Sequence, residues 1–244
     1  MNAKMVWADS RGKVIVLLVF LWVAALVHEF RVVLVTGVVF SVGASIGLDV
    51  FLSRFWGKTA RVSLSSVVTG LLIGLVFDPF AGFVGILAAC AVASLGKAYL
   101  GRGDHQHIFN PAALGIIASS LLFGRSVAWW AVSWGMLPVV ILAAGMLPIL
   151  WRLHRQWMPI TFLVLYYFLT RSISLTLDGT VFLFAFVMLP EPRTAPMQGV
   201  WAWGWGALVG LLVFIQSLLG IAVGDPLLFA LLASNLYGFF FVRR

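Results

Sequence analysis

Long segments without charged residues take up most of this 244-residue chain, and they constrain its fold more than any other feature. Apolar residues make up 62% of the chain and Asp, Glu, Lys and Arg only 10%, against roughly 45–50% and about a quarter in soluble domains. A soluble domain of this size would have to expose much of its apolar surface. The composition therefore predicts an integral membrane protein that has the lipid bilayer as a partner.

The charge-free intervals predict ten membrane-spanning helices in a single integral membrane domain that covers residues 1–244, an all-α polytopic fold. The two short spans near 110–124 and 157–170 are expected to be tilted, broken or re-entrant. The ten spans lie near residues 14–28, 32–48, 62–77, 80–96, 110–124, 127–150, 157–170, 174–190, 200–219 and 225–242.

The basic residues predict the orientation of these spans. With the N-terminus inside, 13 of the 16 Lys and Arg residues fall in inner segments, as the positive-inside rule requires. The net charge of +8 then sets orientation, and we expect no nucleic-acid partner. Both termini are predicted to be cytoplasmic, in a multi-pass protein of the cell (inner) membrane. The three outer basic residues are Arg31, Arg125 and Arg171.

Ten spans also divide into two groups of five, and an odd number of helices per repeat makes the two halves inverted. The fifth span, NPAALGIIASSL from Asn110, resembles the tenth, DPLLFALLASNL from Asp225. We therefore predict a 5+5 inverted repeat of about 14–124 and about 127–242. Asn-Pro and Asp-Pro are helix-start signals. They indicate either two ordinary helix starts or two short helices whose positive ends face one midplane site.

Polar residues concentrate in two inner loops, 96–111 and 189–199. In the second loop, Glu191 and Arg193 can pair with each other, which would only stiffen the turn, or with residues of the first loop. Arg193, next to Thr194, is also suited to bind a phosphate or carboxylate.

Metal centres are not expected in this chain. Asp104, His105 and His107 provide too few ligands for a metal site. Cys90 is the only cysteine, so the chain cannot hold an iron–sulfur cluster by thiolates. A haem is not expected either, because His28 and His154 lie near helix boundaries.

Four motifs resemble one family of membrane subunits: TGLLIGLVF from Thr69, HIFNPAALG from His107, FVMLPEPRTAP from Phe186 and GDPLLFALLASNL from Gly224. In this order they are similar to the RnfD/NqrB family, the membrane subunits shared by Rnf complexes and the sodium-pumping NADH:quinone reductases. With the spans, the resemblance covers most of the chain.

The resemblance implies a ten-helix inverted repeat, related in layout to urea transporters, that passes electrons through flavins towards a quinone or a redox partner. The chain would then be a subunit of a membrane oxidoreductase of the translocase type, acting with partner subunits. Flavin (FMN or riboflavin) or quinone would bind non-covalently, with Phe109 and Phe186 as an apolar wall, and no catalytic residue is assigned. The expected cofactor-binding residues are His107, Asn110, Glu191, Arg193 and Thr194.

Two departures from the family pattern limit this expectation. Relatives with covalent FMN attach it to a Thr in Gly-Ala-Thr after the fifth helix, but here that stretch reads FGRSVAWWAVSW from Phe123. We therefore expect no covalent FMN and do not assign the role to Thr180. The turn Leu189-Pro190-Glu191-Pro192 replaces the usual Thr-Asp-Pro, so it keeps the acid but lacks the hydroxyl. The chain is also shorter than the pump subunits, which leaves ion pumping open.

Two other functions remain open from the sequence. One is a channel or transporter for a small neutral solute such as urea, which the inverted repeat favours. Asn110-Pro111-Ala112 also matches an aquaporin signature, but aquaporins have six spans and a second such motif, which Asp225-Pro226-Leu227 does not supply. The other is a scaffold subunit that has lost its cofactor.

Overall fold

The computed structural model describes residues 10–57, 62–102, 106–195, 200–220 and 224–242, and these are mostly helical. A 3-10 helix, Pro79–Ala81, precedes α4, and π-helical turns at Phe184–Met188 and Gly238–Val242 continue α9 and α11. Two-residue strands occur at Gly101–Arg102 and Gln106–His107. The helices are α1 (Ser10–His28), α2 (Val32–Phe55), α3 (Leu64–Val76), α4 (Gly82–Tyr99), α5 (Pro111–Phe123), α6 (Met136–Arg152), α7 (Trp157–Thr170), α8 (Ile173–Thr176), α9 (Gly179–Leu183), α10 (Val200–Leu219) and α11 (Pro226–Tyr237).

Four helical segments are long and apolar enough to cross a membrane: Ser10–His28, Val32–Phe55, Pro79–Tyr99 and Ala202–Leu219. Six further apolar helical segments have 10–17 residues. By length and composition, the chain is therefore a helical multi-pass membrane protein. Each of the ten predicted spans overlaps one of these segments. The number that crosses a membrane, the inverted repeat and the location of the termini stay predictions.

The predicted span 127–150 begins too early, because α6 begins at Met136. The backbone before it is irregular, with positive φ at Gly124, Trp129 and Gly135. An apolar, charge-free interval does not distinguish a helix from an apolar loop, so the pattern could not place this boundary.

The segment before α6 instead satisfies the C-terminal end of α3. A helix leaves its last four carbonyl groups without intrahelical partners. The backbone N–H groups of Ala128 and Trp129 both donate to Val76 O, each at 3.0 Å. Ala131 N donates to Leu75 O at 3.4 Å, and Trp130 Nε1 donates to Gly74 O at 2.9 Å.

The predicted span 174–190 is divided into α8 and α9. The break lies at Leu177 and Asp178, where the Asp178 carboxylate accepts a hydrogen bond from Thr180 N at 2.8 Å and so caps α9. Asp is a preferred N-cap because its side chain satisfies an N–H group that has no helical partner. The hydrophobic pattern of the sequence indicated one apolar segment and did not indicate the N-cap at Asp178.

The chain forms two compact units. The first contains Met1–Gly101 and Pro111–Ala131, and so α1 to α5. Close packing of α2 against α3 depends on glycine, since a Cβ added at Gly70 would lie 2.6 Å from Val42 Cα. Small residues allow this approach between membrane helices.

The second unit contains Arg102–Asn110 and Val132–Arg244, and so α6 to α11. Gly206 of α10 packs against the backbone of α7 at Met158, where an added Cβ would clash. The start of α11 follows the sequence signal: Asp225 accepts from Leu227 N at 2.9 Å and from Leu228 N at 3.0 Å, and Pro226 takes the first helical position. This is the expected N-cap followed by proline.

Candidate functional site

Two polar segments that are far apart in sequence meet within the second unit. One is His107–Asn110, which leads from the second short strand to α5, and the other is the turn Leu189–Ala195 after the π-helical turn. The five residues that the sequence predicted as cofactor-binding all lie in these two segments and are joined by hydrogen bonds. We call them the polar cluster: His107, Asn110, Glu191, Arg193 and Thr194.

The Glu191 carboxylate lies at the centre of the polar cluster. Its Oε2 accepts a hydrogen bond from Asn110 Nδ2 at 2.8 Å and another from Thr194 Oγ1 at 3.3 Å. Asn110 and Thr194 are buried, with 2% and 1% of their surface exposed, whereas Glu191 is half-buried. Hydrogen bonds to a charged acceptor are the stronger kind, so Glu191 holds both segments in place.

The second connection joins Arg193 to His107. Arg193 Nη1 lies 3.0 Å from His107 Nε2. Because a guanidinium can only donate, Nε2 of His107 must be the acceptor, and the ring proton is then on Nδ1. His107 is therefore neutral in this arrangement. Both charged residues of the turn, Glu191 and Arg193, thus contact the first loop, which is one of the two pairings that the sequence left open.

The turn Leu189–Ala195 follows a buried π-helical turn, Phe184–Met188, which the sequence did not predict. Leu189 N closes the π turn by donating to Phe184 O at 2.9 Å. Thr194 N and Ala195 N then both donate to Glu191 O, at 3.2 and 3.0 Å. Such π turns are rare and occur often at functional sites. No local pattern of apolar residues distinguishes a π turn from an α-helical one.

Two polar residues that the sequence analysis did not single out extend the polar cluster. Arg155, in the link between α6 and α7, is buried and donates from Nη1 to Pro190 O at 3.1 Å. Asn235 of α11 accepts from the backbone N–H of Asn110 through Oδ1 at 2.9 Å. An Asn inside an apolar helix was the available signal for the second, because polar residues there are costly and often functional.

The side-chain amide of Asn235 places a buried donor without a partner next to the polar cluster. Asn235 is 1% exposed, and its Nδ2 is buried with no hydrogen-bond partner among the described residues. An unsatisfied buried donor costs about 1–3 kcal/mol. A carbonyl oxygen of a bound ring compound or a water molecule would satisfy it. The orphaned amide fits a flavin or a quinone, since both carry ring carbonyls.

Other predicted features have different outcomes. Phe186 is buried and stacks on Phe182 with the ring centroids 5.2 Å apart, while Phe109 is half-buried. Their role as the wall of a cofactor site stays a prediction. Asp104 and His105, on which a metal site would depend, lie outside the described residues.

Comparison with known proteins adds no relative. No protein-family model matches the chain, and no characterised protein matches it with significance. The similarity to the membrane subunits of Rnf complexes and the sodium-pumping reductases therefore rests on the four motifs alone.

Proposed function

We propose that this chain is an integral membrane electron-transport subunit. It binds flavin or quinone non-covalently at the polar cluster and relays electrons with partner subunits, as the resemblance to the Rnf and NADH:quinone reductase subunits implies. Part of the proposal is the finer topology: ten spans in a 5+5 inverted repeat, both termini cytoplasmic, in the inner membrane. The four long and six shorter apolar helical segments are compatible with this topology.

The observation that carries the proposal is the buried amide of Asn235 beside the polar cluster. A flavin or quinone ring has carbonyl oxygens at its edge and an apolar face. Asn235 Nδ2 would donate to such a carbonyl, and buried aromatic side chains such as Phe186 would cover the ring face. Arg193 would hold an anionic group of the cofactor by a charged hydrogen bond.

The residues of this chain orient and insulate the cofactor in this proposal. Glu191 fixes Asn110, and Asn110 fixes Asn235 through its backbone N–H. Arg155 holds the turn at Pro190, three residues before Arg193. When bound, the cofactor itself supplies the electron-transfer chemistry.

The first test is the absorption spectrum of the protein purified in mild detergent, with extraction of bound quinone. We expect a flavin spectrum or a stoichiometric quinone. A denaturing gel under ultraviolet light should show no flavin fluorescence, because no Thr takes the place of the family's attachment site. A fluorescent band would mean that Thr180 or another hydroxyl carries the flavin.

The second test is Arg193→Ala, compared with Arg125→Ala as a matched control because Arg125 is exposed and outside the polar cluster. Loss of a charged hydrogen bond to the cofactor costs roughly 1.5–3 kcal/mol. We therefore expect about ten- to a hundredfold weaker binding for Arg193→Ala and unchanged binding for Arg125→Ala. Equal binding by both variants would contradict the proposed site.

The competing functions give different results in the same preparations. A colourless protein without quinone that passes urea or water in liposomes would replace the redox proposal with a pore. A colourless protein that passes neither and purifies only with partner subunits would indicate a scaffold.

A further inference from the structure

An ion pair lies in the interface between α2 and α4 of the first unit. Lys97 Nζ is 3.0 Å from Asp49 Oδ2, and the two side chains are only 9% and 17% exposed. Both helices belong to the four segments that are long and apolar enough to cross a membrane. Ionisable residues in such helices are costly and usually mark a function.

Further polar side chains continue from this pair along the two facing helices. Residues three or four apart share one face of a helix. On α2, Ser45 and Ser41 precede Asp49 by four and eight residues, and on α4, Ser94 and Cys90 precede Lys97 by three and seven. We call these residues the polar track: Ser41, Ser45, Asp49, Cys90, Ser94 and Lys97.

Two further contacts show how the two helices are aligned. Cys90 Sγ donates to Ser41 O at 3.5 Å, and the rings of Trp56 and Tyr99, at the ends of α2 and α4, lie 5.1 Å apart. The helices therefore run in the same direction, with Cys90 opposite Ser41 and Lys97 opposite Asp49. Eight residues of helix place Ser41 about 12 Å along the interface from Asp49.

The hydroxyl groups in the middle of the track are buried and poorly satisfied by the protein. Ser94 is 1% exposed, and its Oγ has no hydrogen-bond partner among the described residues. Ser45 is 0% exposed, and the thiol of Cys90 beside its Oγ is only a weak hydrogen-bonding group. Buried polar groups without a protein partner are normally satisfied by internal water.

Beyond Ser41 the track is closed. Ser41 Oγ lies 2.8 Å from Gly70 O and 2.9 Å from Val38 O and shares its one proton between them, so its donor is satisfied by the backbone. One turn before Ser41, a Cβ added at Gly37 of α2 would lie 3.7 Å from Ile86 Cδ1 of α4, so the two helices pack through apolar atoms on that side. The polar track therefore has one closed end, at Ser41, and one end at the ion pair.

We propose that the polar track is a binding site for water, a dead-end hydrated path between α2 and α4 that extends from the Asp49–Lys97 pair to Cys90. The water satisfies Ser45 and Ser94 and solvates the ion pair within two otherwise apolar helices. This site is independent of the polar cluster and of the electron-transport proposal.

Cys90 is the natural probe, because it is the only cysteine of the chain and is buried at the closed end of the track. Its S–H stretching band is separate from other protein absorption in the infrared. After transfer of the protein in lipid vesicles into D2O, we expect the thiol to exchange to S–D much faster than the backbone amides of α4. Exchange no faster than those amides would show a dry interface and would overturn the proposal.

Ser94→Val tests the route by replacing a water-binding hydroxyl with methyl groups. We expect thiol exchange to slow about tenfold. This corresponds to about 1.4 kcal/mol of additional free energy for water to reach Cys90. The matched control is Thr36→Val, an exposed and nearly isosteric change on α2 that lies off the track. Equal exchange rates in the two variants would refute the route. Where Ser94→Val does not insert, the wild-type comparison with the α4 amides decides alone.

Discussion

The hydrogen bond between Asn110 and Glu191 can be measured by a double-mutant cycle with Asn110→Ala, Glu191→Ala and the double variant. The Nδ2 to Oε2 distance is 2.8 Å and the acceptor is a carboxylate, so we expect a coupling energy of about 1.5–3 kcal/mol. The value should lie at the lower end, because Glu191 is half-buried and water screens its charge.

A cycle is needed because each side chain has other contacts. Asn110 Nδ2 also lies 3.5 Å from Met188 O, and Glu191 also accepts from Thr194. Single variants therefore lose more than the bond in question, whereas the coupling energy isolates it.

The assay is unfolding by sodium dodecyl sulfate in mixed micelles, followed by circular dichroism. A second cycle, with Thr194→Val and Glu191→Ala, provides the internal comparison. The hydrogen bond from Thr194 Oγ1 to Glu191 Oε2 is longer, at 3.3 Å, so its coupling energy should be smaller. Additivity of Asn110→Ala and Glu191→Ala within ~0.5 kcal/mol would show that the two segments are held by something else.

Three further predictions concern packing, capping and topology. Gly70→Ala should destabilise the protein in the same unfolding assay, because the new Cβ clashes with the backbone of Val42. The control is Gly47→Ala, whose new Cβ has no neighbouring atom within 4 Å. This variant should be neutral or stabilising by about 0.5–1 kcal/mol. Asp225→Ala should lower the free energy of unfolding by about 0.5–2 kcal/mol through loss of the N-cap, whereas Asp225→Asn should retain most of the stability because Asn is also a good N-cap. An equal loss of stability in the two variants would rule out capping. Reporter fusions after residue 244 and within 101–106 should both give cytoplasmic signals; an external signal at either would overturn the orientation.

Many helix positions were predictable, because charged residues are rare in apolar helices and often lie near their limits. The span predicted at 32–48 nevertheless ended too early, because α2 continues past Asp49 to Phe55. The span predicted at 157–170 coincides with α7, and the one at 200–219 with α10. The start of α6 at Met136 was not predictable, because the apolar segment before it forms hydrogen bonds with α3 instead of with itself. Those contacts join residues more than 50 positions apart, and no local pattern records them.

The sequence predicted that the residues of the polar cluster share one site, and it predicted their geometry only in part; their role in cofactor binding stays a prediction. The polar composition of two loops identified Glu191 and Arg193, but it did not decide whether they pair with each other or with the first loop. The structure shows that both contact the first loop, through Asn110, 81 residues from Glu191, and His107, 86 residues from Arg193. Arg155 escaped notice because in sequence it is one of several basic residues that orient the protein, whereas in the structure it is buried against the turn.

The way α3 ends bears on the match between the length of this helix and the thickness of the bilayer. Its 13 residues extend only about 20 Å, well short of a hydrocarbon layer of ~30 Å. A helix that ends at such depth would normally expose unpaired carbonyl groups to lipid. Here Phe77 and residues 128–131 donate to the last four carbonyls, so a distant piece of chain takes the place of the missing helical turn. In the proposed ten-span topology α3 crosses the bilayer, and its hydrophobic mismatch is then absorbed inside the protein, without thinning of the membrane around it.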